Sequence, residues 1–174
     1  MPDAKIEDLV ALTAPAIDDL LAIVDDPSGT PITKKVTLSN LCVFNTWTPV
    51  IGGSGGTSGQ SYSRQAGRYV KIGRLVFVSW DIILSAKGTI TDNVQIHGLP
   101  FTVVNALGVG ATGLIRPQNL ATNWVLVVAN AAPNTTVAAV LGTQAAAAGW
   151  VTLTTTDIGN TTAFEGSLVY EAGA

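Results

Sequence analysis

From Pro27 onward, five carboxylates, one histidine, one cysteine and four tryptophans are the side chains with chemistry to offer, and their spacing restricts what that chemistry could be. Glycoside hydrolysis needs two acids held roughly 5 to 9.5 Å apart, and the candidates are Asp81, Asp92, Asp157, Glu165 and Glu171. Asp81 stands out because it lies inside a strand-like run beside Trp80, although an outward-facing aspartate is the ordinary occupant of such a position. His97 is the only histidine, so a catalytic triad or a histidine-centred zinc site would have to use it. No second histidine and no G-x-S-x-G elbow accompanies it, and it reads as structural. Cys42 is alone and can form neither an intrachain disulfide nor a multi-cysteine metal site; a small buried hydrophobe is its expected role. These residues argue against an enzyme and imply no cofactor and no metal.

Binding motifs fare similarly. Gly108, Gly110 and Gly113 spell G-x-G-x-x-G, but that fingerprint needs a strand before it and a helix after it, and Pro117 interrupts the segment that follows. The expectation is a glycine-rich bend between strands. The run Gly52–Gly59 has no lysine followed by Ser or Thr, so it is not a P-loop; its composition predicts a flexible loop. Arg64, Arg68, Lys71 and Arg74 cluster within eleven positions, yet only Tyr62 and Tyr69 provide rings nearby, where a nucleic-acid reader uses more bases and interleaved aromatics. These cations are expected on solvent faces, or paired across chains with acidic residues, or facing a phosphate-rich surface such as lipopolysaccharide. Trp47, Trp80, Trp124 and Trp150 could stack on sugar rings where exposed, although most belong in a core. Trp47, Tyr62 and Tyr69 are the glycan-contact candidates. Asn134-Thr135-Thr136 and Asn160-Thr161-Thr162 match glycosylation acceptors, and without a secretory signal they read as turn chemistry.

The elements that must position these residues are strands. Val70, Ile72, Val76, Val78, Trp80, Ile82 and Leu84 fall on even positions, while Lys71, Ser79 and Asp81 fall on odd ones. Such period-two patterning marks a strand with one buried face. Gly73 divides the run into strands Gly67–Ile72 and Leu75–Leu84 of a tight hairpin, and Lys87-Gly88 turns the chain into a third strand near Val94–Ile96, giving a three-stranded meander. Val43–Ile51 is expected as the first strand of this body. Later strands are expected at Phe101–Val104, Leu114–Arg116, Trp124–Ala129, Thr136–Leu141, Trp150–Thr154 and Phe164–Tyr170. Turns at Ala132-Pro133-Asn134 and Ile158-Gly159-Asn160 separate them, and the spacing fits an antiparallel sandwich. Ala145–Ala148 is too short for a helix of its own and reads as a loop.

The beginning of the chain differs in kind. Up to Asp26 there are seven acids and one base, a net charge of −6, whereas from Pro27 eight bases face five acids, a net charge of +3. Asp3–Leu12 could form a short helix ended by Pro15. Leu20–Val24 is apolar between paired aspartates and fits a buried strand or a helical turn, and Ile32–Leu38 alternates as a strand. The chain of 174 residues is 47% hydrophobic and 12% charged, about half the usual charged content of ~25%. Either Ser, Thr, Asn and Gly supply the polar surface, or part of the apolar surface is buried against other chains. The first residues lack a secretory signal, and no apolar run reaches the ~18 residues of a membrane span, which predicts a soluble chain made in a cytosol.

The run GRYVKIGRLVFVSWDIIL, followed by the Lys87-Gly88 turn and IHGLPF, resembles the carboxy-terminal domains of tailed-bacteriophage fibre proteins. Those domains tend to read G-x-Y-x-x-x-G, then a valine-rich strand, then G-L-P-F. Upstream, DLLAIVDDPSGTPITKKVTLSNL, from Asp19 to Leu41, resembles the amino-terminal segment of many phage structural proteins. The two stretches cover a little over a third of the chain. What the resemblance implies is a virion surface protein, assembled in the host bacterial cytoplasm as a homotrimer. The expectation is therefore an all-β protein. An antiparallel jelly-roll-like β-sandwich knob over 43–174 follows a short N-terminal extension over 1–42 that docks on other virion proteins of the capsid or tail. Docking is assigned to Asp18, Asp19, Leu20, Leu21, Ile23, Val24, Asp25, Asp26, Lys34 and Lys35. The knob would meet a host surface glycan, with no nucleic acid and no membrane insertion; a capsid decoration protein that stabilises the head without binding a receptor is the alternative.

Overall fold

The computed structural model of the chain describes residues 20–25, 32–37, 43–106, 111–145 and 149–173, in two units, Met1–Val43 and Phe44–Ala174. In the first unit, β1 (Leu20–Asp25) and β2 (Ile32–Thr37) form an antiparallel hairpin with Leu20 opposite Thr37 and Asp25 opposite Ile32. The apolar run between the aspartates is thus a strand rather than a helical turn. The expected helix over Asp3–Leu12 lies outside the described residues.

In the second unit the strands are β3 (Asn45–Trp47), β4 (Val50–Gly53), β5 (Ser61–Ile72), β6 (Leu75–Ala86), β7 (Val94–His97) and β8 (Ala111–Leu120). They continue with β9 (Leu126–Ala131), β10 (Val137–Thr143), β11 (Val151–Thr152) and β12 (Ile158–Glu171). Every pairing is antiparallel, in the order β3-β5-β6-β12-β8-β9-β10-β7-β4, with β11 added beside β10. The fold is all-β and antiparallel, as the alternating pattern predicts; a jelly-roll strand order is not established by the pairing. The two ends of the sheet, β3 and β4, are consecutive in the chain, joined only by Thr48 and Pro49. Three peptide steps span at most ~11 Å, so the sheet must curl until its two edges approach each other. The single strand expected over Val43–Ile51 is divided there because Pro49 lacks the N–H that a continuous ladder needs.

The concave side of this curl holds the core. Val76, Val78, Trp80, Ile82 and Leu84 of β6 face Phe164, Leu168 and Tyr170 of β12, with Ile51, Ile96, Val127, Val140 and Leu153 closing the other side, all buried. The hairpin turn at Gly73-Arg74 forms with Gly73 at φ +59°. A two-residue turn pairs Ile72 with Leu75, so partners across it have opposite parity. The even-numbered Val70 and Ile72 therefore share the outer face with Leu75 and Phe77, not the buried face with Val76, as the simple alternation suggests. The meander also needs correction: β6 pairs with β5 and β12, while β7 crosses to β4 and β10.

Several boundaries move for local reasons. Phe101–Val104 forms no strand, only a bridge from Val103 to Ala172. Asn160 lies within β12 rather than in a turn, where the register shifts between Ile158 and Ala163. Pro117 is accommodated inside β8 because pairing with β9 ends at Ile115, leaving that edge with no ladder for proline to interrupt. The glycine run after Ile51 is ordered in part. Gly52 and Gly53 belong to β4, and Gly53 approaches the Thr91 backbone so closely that an added Cβ would lie 1.8 Å from its carbonyl oxygen. The glycines here admit a neighbouring backbone, which composition alone does not distinguish from flexibility.

Candidate functional site

The aromatic candidates of the body are mostly committed to packing. Trp47 is buried, its Nε1 donates to the carbonyls of Arg68 and Ser79 at 3.2 Å each, and its ring stands edge-on to Trp80 at 6.4 Å. Gly67 makes room for it, since an added Cβ there would lie 2.5 Å from Trp47 Nε1. No face of Trp47 is open to a sugar. The half-buried Tyr62 donates its hydroxyl to the Ile51 carbonyl at 3.3 Å and accepts from the Ile51 N–H at 3.2 Å. Burial raises its pKa against those hydrogen bonds. Tyr69 is half-buried edge-on to Phe101 at 5.5 Å, and the Lys71 ammonium lies 5.1 Å over the Phe101 ring. Trp150, by contrast, is 52% exposed. It directly precedes a short strand and follows Gly149, a setting in which a large ring has less sheet to bury it.

The titratable candidates are likewise tied to the scaffold. Burial lowers the His97 pKa, and its Nε2 is buried without a hydrogen-bond partner among the described residues. Asp157 is buried in the turn before β12, accepting from the Thr122 hydroxyl, from the Thr154 N–H at 2.8 Å and from the Thr154 hydroxyl at 3.0 Å. Burial pushes its carboxyl up, but these hydrogen bonds outweigh burial and leave it below its ordinary value. Among the described residues no three His, Cys, Asp or Glu side chains gather as a metal site. Gly113 lies in β8 with the Ser167 carbonyl where its side chain would be, and the strand continues beyond it, so no helix terminus meets a phosphate there. Gly108 and Gly110 lie outside the described residues.

The outer face of β5, β6, β12 and β8 gathers what remains, in rows across the strands. One row runs Asp81, Glu165, Arg116, and Arg64 reaches Asp81 diagonally from β5, where Ala66 is the direct partner of Asp81. Asp81 and Glu165 are directly opposite on adjacent strands, Arg64 bonds Asp81 at 2.6 Å, and Arg116 bonds Glu165 at 2.5 Å. Two like charges face each other and each takes a guanidinium on its far side. Exposed pairs of this kind are largely screened by solvent, so this row shapes the surface more than it holds the fold. The carboxylate singled out beside Trp80 is half of this ladder. Toward the hairpin turn the face becomes apolar: Val70 pairs with Phe77 and Phe77 with Val169, while Ile72 pairs with Leu75. Ile72, Leu75, Phe77 and Val169 are between 42% and 55% exposed. Arg74 and Glu171, paired at 3.1 Å, border the stripe. Of the basic cluster, Arg64 and Arg74 are thus paired within the body.

The docking candidates Leu20, Leu21, Ile23, Val24 and Asp25 lie on β1, with Lys34 and Lys35 on β2 opposite Ile23 and Ala22. Asp18, Asp19 and Asp26 lie outside the described residues. No helix among the described residues is long and apolar enough to cross a membrane. No family model matches the chain, and no curated protein and no solved structure matches it either.

Proposed function

We propose that this chain is a non-enzymatic structural protein of a tailed-phage virion, a homotrimeric surface spike or fibre. Its first 42 residues dock on capsid or tail proteins, and its β body faces the host surface. The observation that supports this reading best is the outward stripe of Val70, Ile72, Leu75, Phe77 and Val169. A contiguous apolar stripe on a sheet face marks an interaction surface, and in a chain with so few charges a second and third copy are the occupants that cover it. The β1–β2 hairpin, a unit of its own ahead of the body, supplies the docking element.

Particles assembled with a chain lacking residues 1–41 test the docking half. The truncated body should fold and fail to join the particle; incorporation at the full-length level would contradict the reading. Particles lacking the protein should adsorb poorly to host cells while keeping their heads intact. Normal adsorption with fragile heads would instead identify a decoration protein.

A further inference from the structure

On the outer face of β8, β9 and β10 the sheet carries a concavity of 420 Å³ lined by Thr112, Val128, Asn130, Leu141 and Trp150. We propose that it is a binding site for a neutral hexopyranose ring, stacked on Trp150 and hydrogen-bonded by Asn130 and Thr112. Thr112 and Asn130 are cross-strand partners, as are Leu141 and Val128, so these four side chains project from one face in two adjacent rows. Trp150 enters β11 one residue before Val151, which pairs with Gly142, and this parity puts its side chain on the same face as Leu141. Val128 is 5% exposed although it faces outward, which makes it the floor.

The chemistry of the walls selects the ligand. A pyranose has an apolar C–H face and a rim of hydroxyls. The first matches an exposed indole, and the second needs donors and acceptors close together. The Asn130 amide donates to the Thr112 hydroxyl at 3.3 Å. This leaves the second amide hydrogen, the amide oxygen and the Thr112 hydroxyl proton for a vicinal diol, with the pair already oriented by their mutual bond. No charged side chain lines the concavity, so neither a sialic acid nor a phosphorylated sugar finds a counter-ion there. The inference gives residues to the host-contact part of the function proposed above. It concerns the isolated chain, so it can fail or hold independently of docking and assembly.

The test titrates the full-length chain with methyl glucoside, methyl galactoside and N-acetylglucosamine, following tryptophan fluorescence and saturation-transfer NMR. Trp47 and Trp80 are buried and Trp124 is packed partly against the core, so the change that Trp150→Ala removes from the fluorescence titration is the one that reports the sugar. At least one sugar should bind saturably with a Kd of about 1–10 mM, the range for a ligand of this size at a shallow site. Trp150→Ala should weaken it at least tenfold. Asn130→Ala, which leaves the ring and the apolar floor in place, should weaken it about three- to tenfold. No saturable binding of any of the three overturns the proposal, as does binding that both variants leave unchanged. If Trp150→Ala instead changes the mass of the assembly while no sugar binds, the ring is a protein contact and the sugar site is refuted.

Discussion

Tyr170 shows how one buried side chain records the integrity of the core. Its hydroxyl accepts the Phe101 N–H at 3.1 Å, and burial pushes its pKa up to about 12. A neutral phenol preferred by the folded state adds stability that is fully present below the ordinary value of 10.0 and is lost as pH rises through about 12. An ultraviolet pH titration should show one tyrosine ionising late, and Tyr170→Phe should remove that late step and flatten the alkaline loss of Tm. Asp157 works in the opposite direction. Its lowered pKa adds stability present above the ordinary value of 3.8 and lost as pH falls through the folded-state value beneath it. Asp157→Asn should cost about 1–3 kcal/mol at pH 7, and the difference from the parent should shrink as pH falls below 3.8; a constant difference from pH 7 to pH 2 would argue against an ionised carboxylate. The role of Tyr170 is not readable from sequence, because it depends on Phe101 far away in the chain; Asp157 combines local bonds from Thr154 with a distant one from Thr122, and only the local part has a sequence signature. The aromatic candidates illustrate the same limit. Trp47, Tyr62 and Tyr69 share the composition of a sugar site, yet hydrogen bonds and ring contacts place them in or against the core, and Trp150 is the exposed one.

At the scale of the element, the turn of the β5–β6 hairpin and the strand ends beside it are legible in the sequence, although β5 begins at Ser61, six residues before the expected Gly67. Alternation needs no partner to be visible, and Gly73 marks the turn. What escaped was the consequence of that turn: with two residues between the strands, equal parity means opposite faces. Val70 and Ile72 count as core when the run is read as one strand and as surface once it is folded. Gly73 has φ +59° with open space around it, so Gly73→Ala strains only the backbone and should cost about 1 kcal/mol, whereas Gly73→Asn should cost less because asparagine tolerates that region. Equal losses for the two would point to a packing role instead. The partner strands were less legible. Nothing local tells β6 to pair with β12, some eighty residues away, rather than β7; long-range register comes from filling the concave side with Phe164 and Leu168. In the glycine run Gly52 and Gly53 join β4 while residues 54–60 lie outside the named strands, a division that composition does not show because a backbone contact and a flexible loop share it.

For the whole molecule, the scarcity of charge seen in the sequence finds its place on the convex face, where an apolar stripe lies beside a ladder of compensated charges. The proposed self-association surface can be altered without disturbing the core. Phe77→Asp, on the outer face of β6, should leave the far-ultraviolet circular dichroism of the folded body unchanged and shift the assembly toward single chains, whereas Phe164→Ala should cost about 3–5 kcal/mol of stability by opening a cavity. The most direct measurement is the sedimentation-equilibrium mass of the full-length chain beside Phe77→Asp across the micromolar range. The account predicts three times the mass of one chain for the parent and a concentration-dependent fall toward one chain for the variant. A parent that sediments as a single chain at every concentration, its stripe open to water, would contradict it.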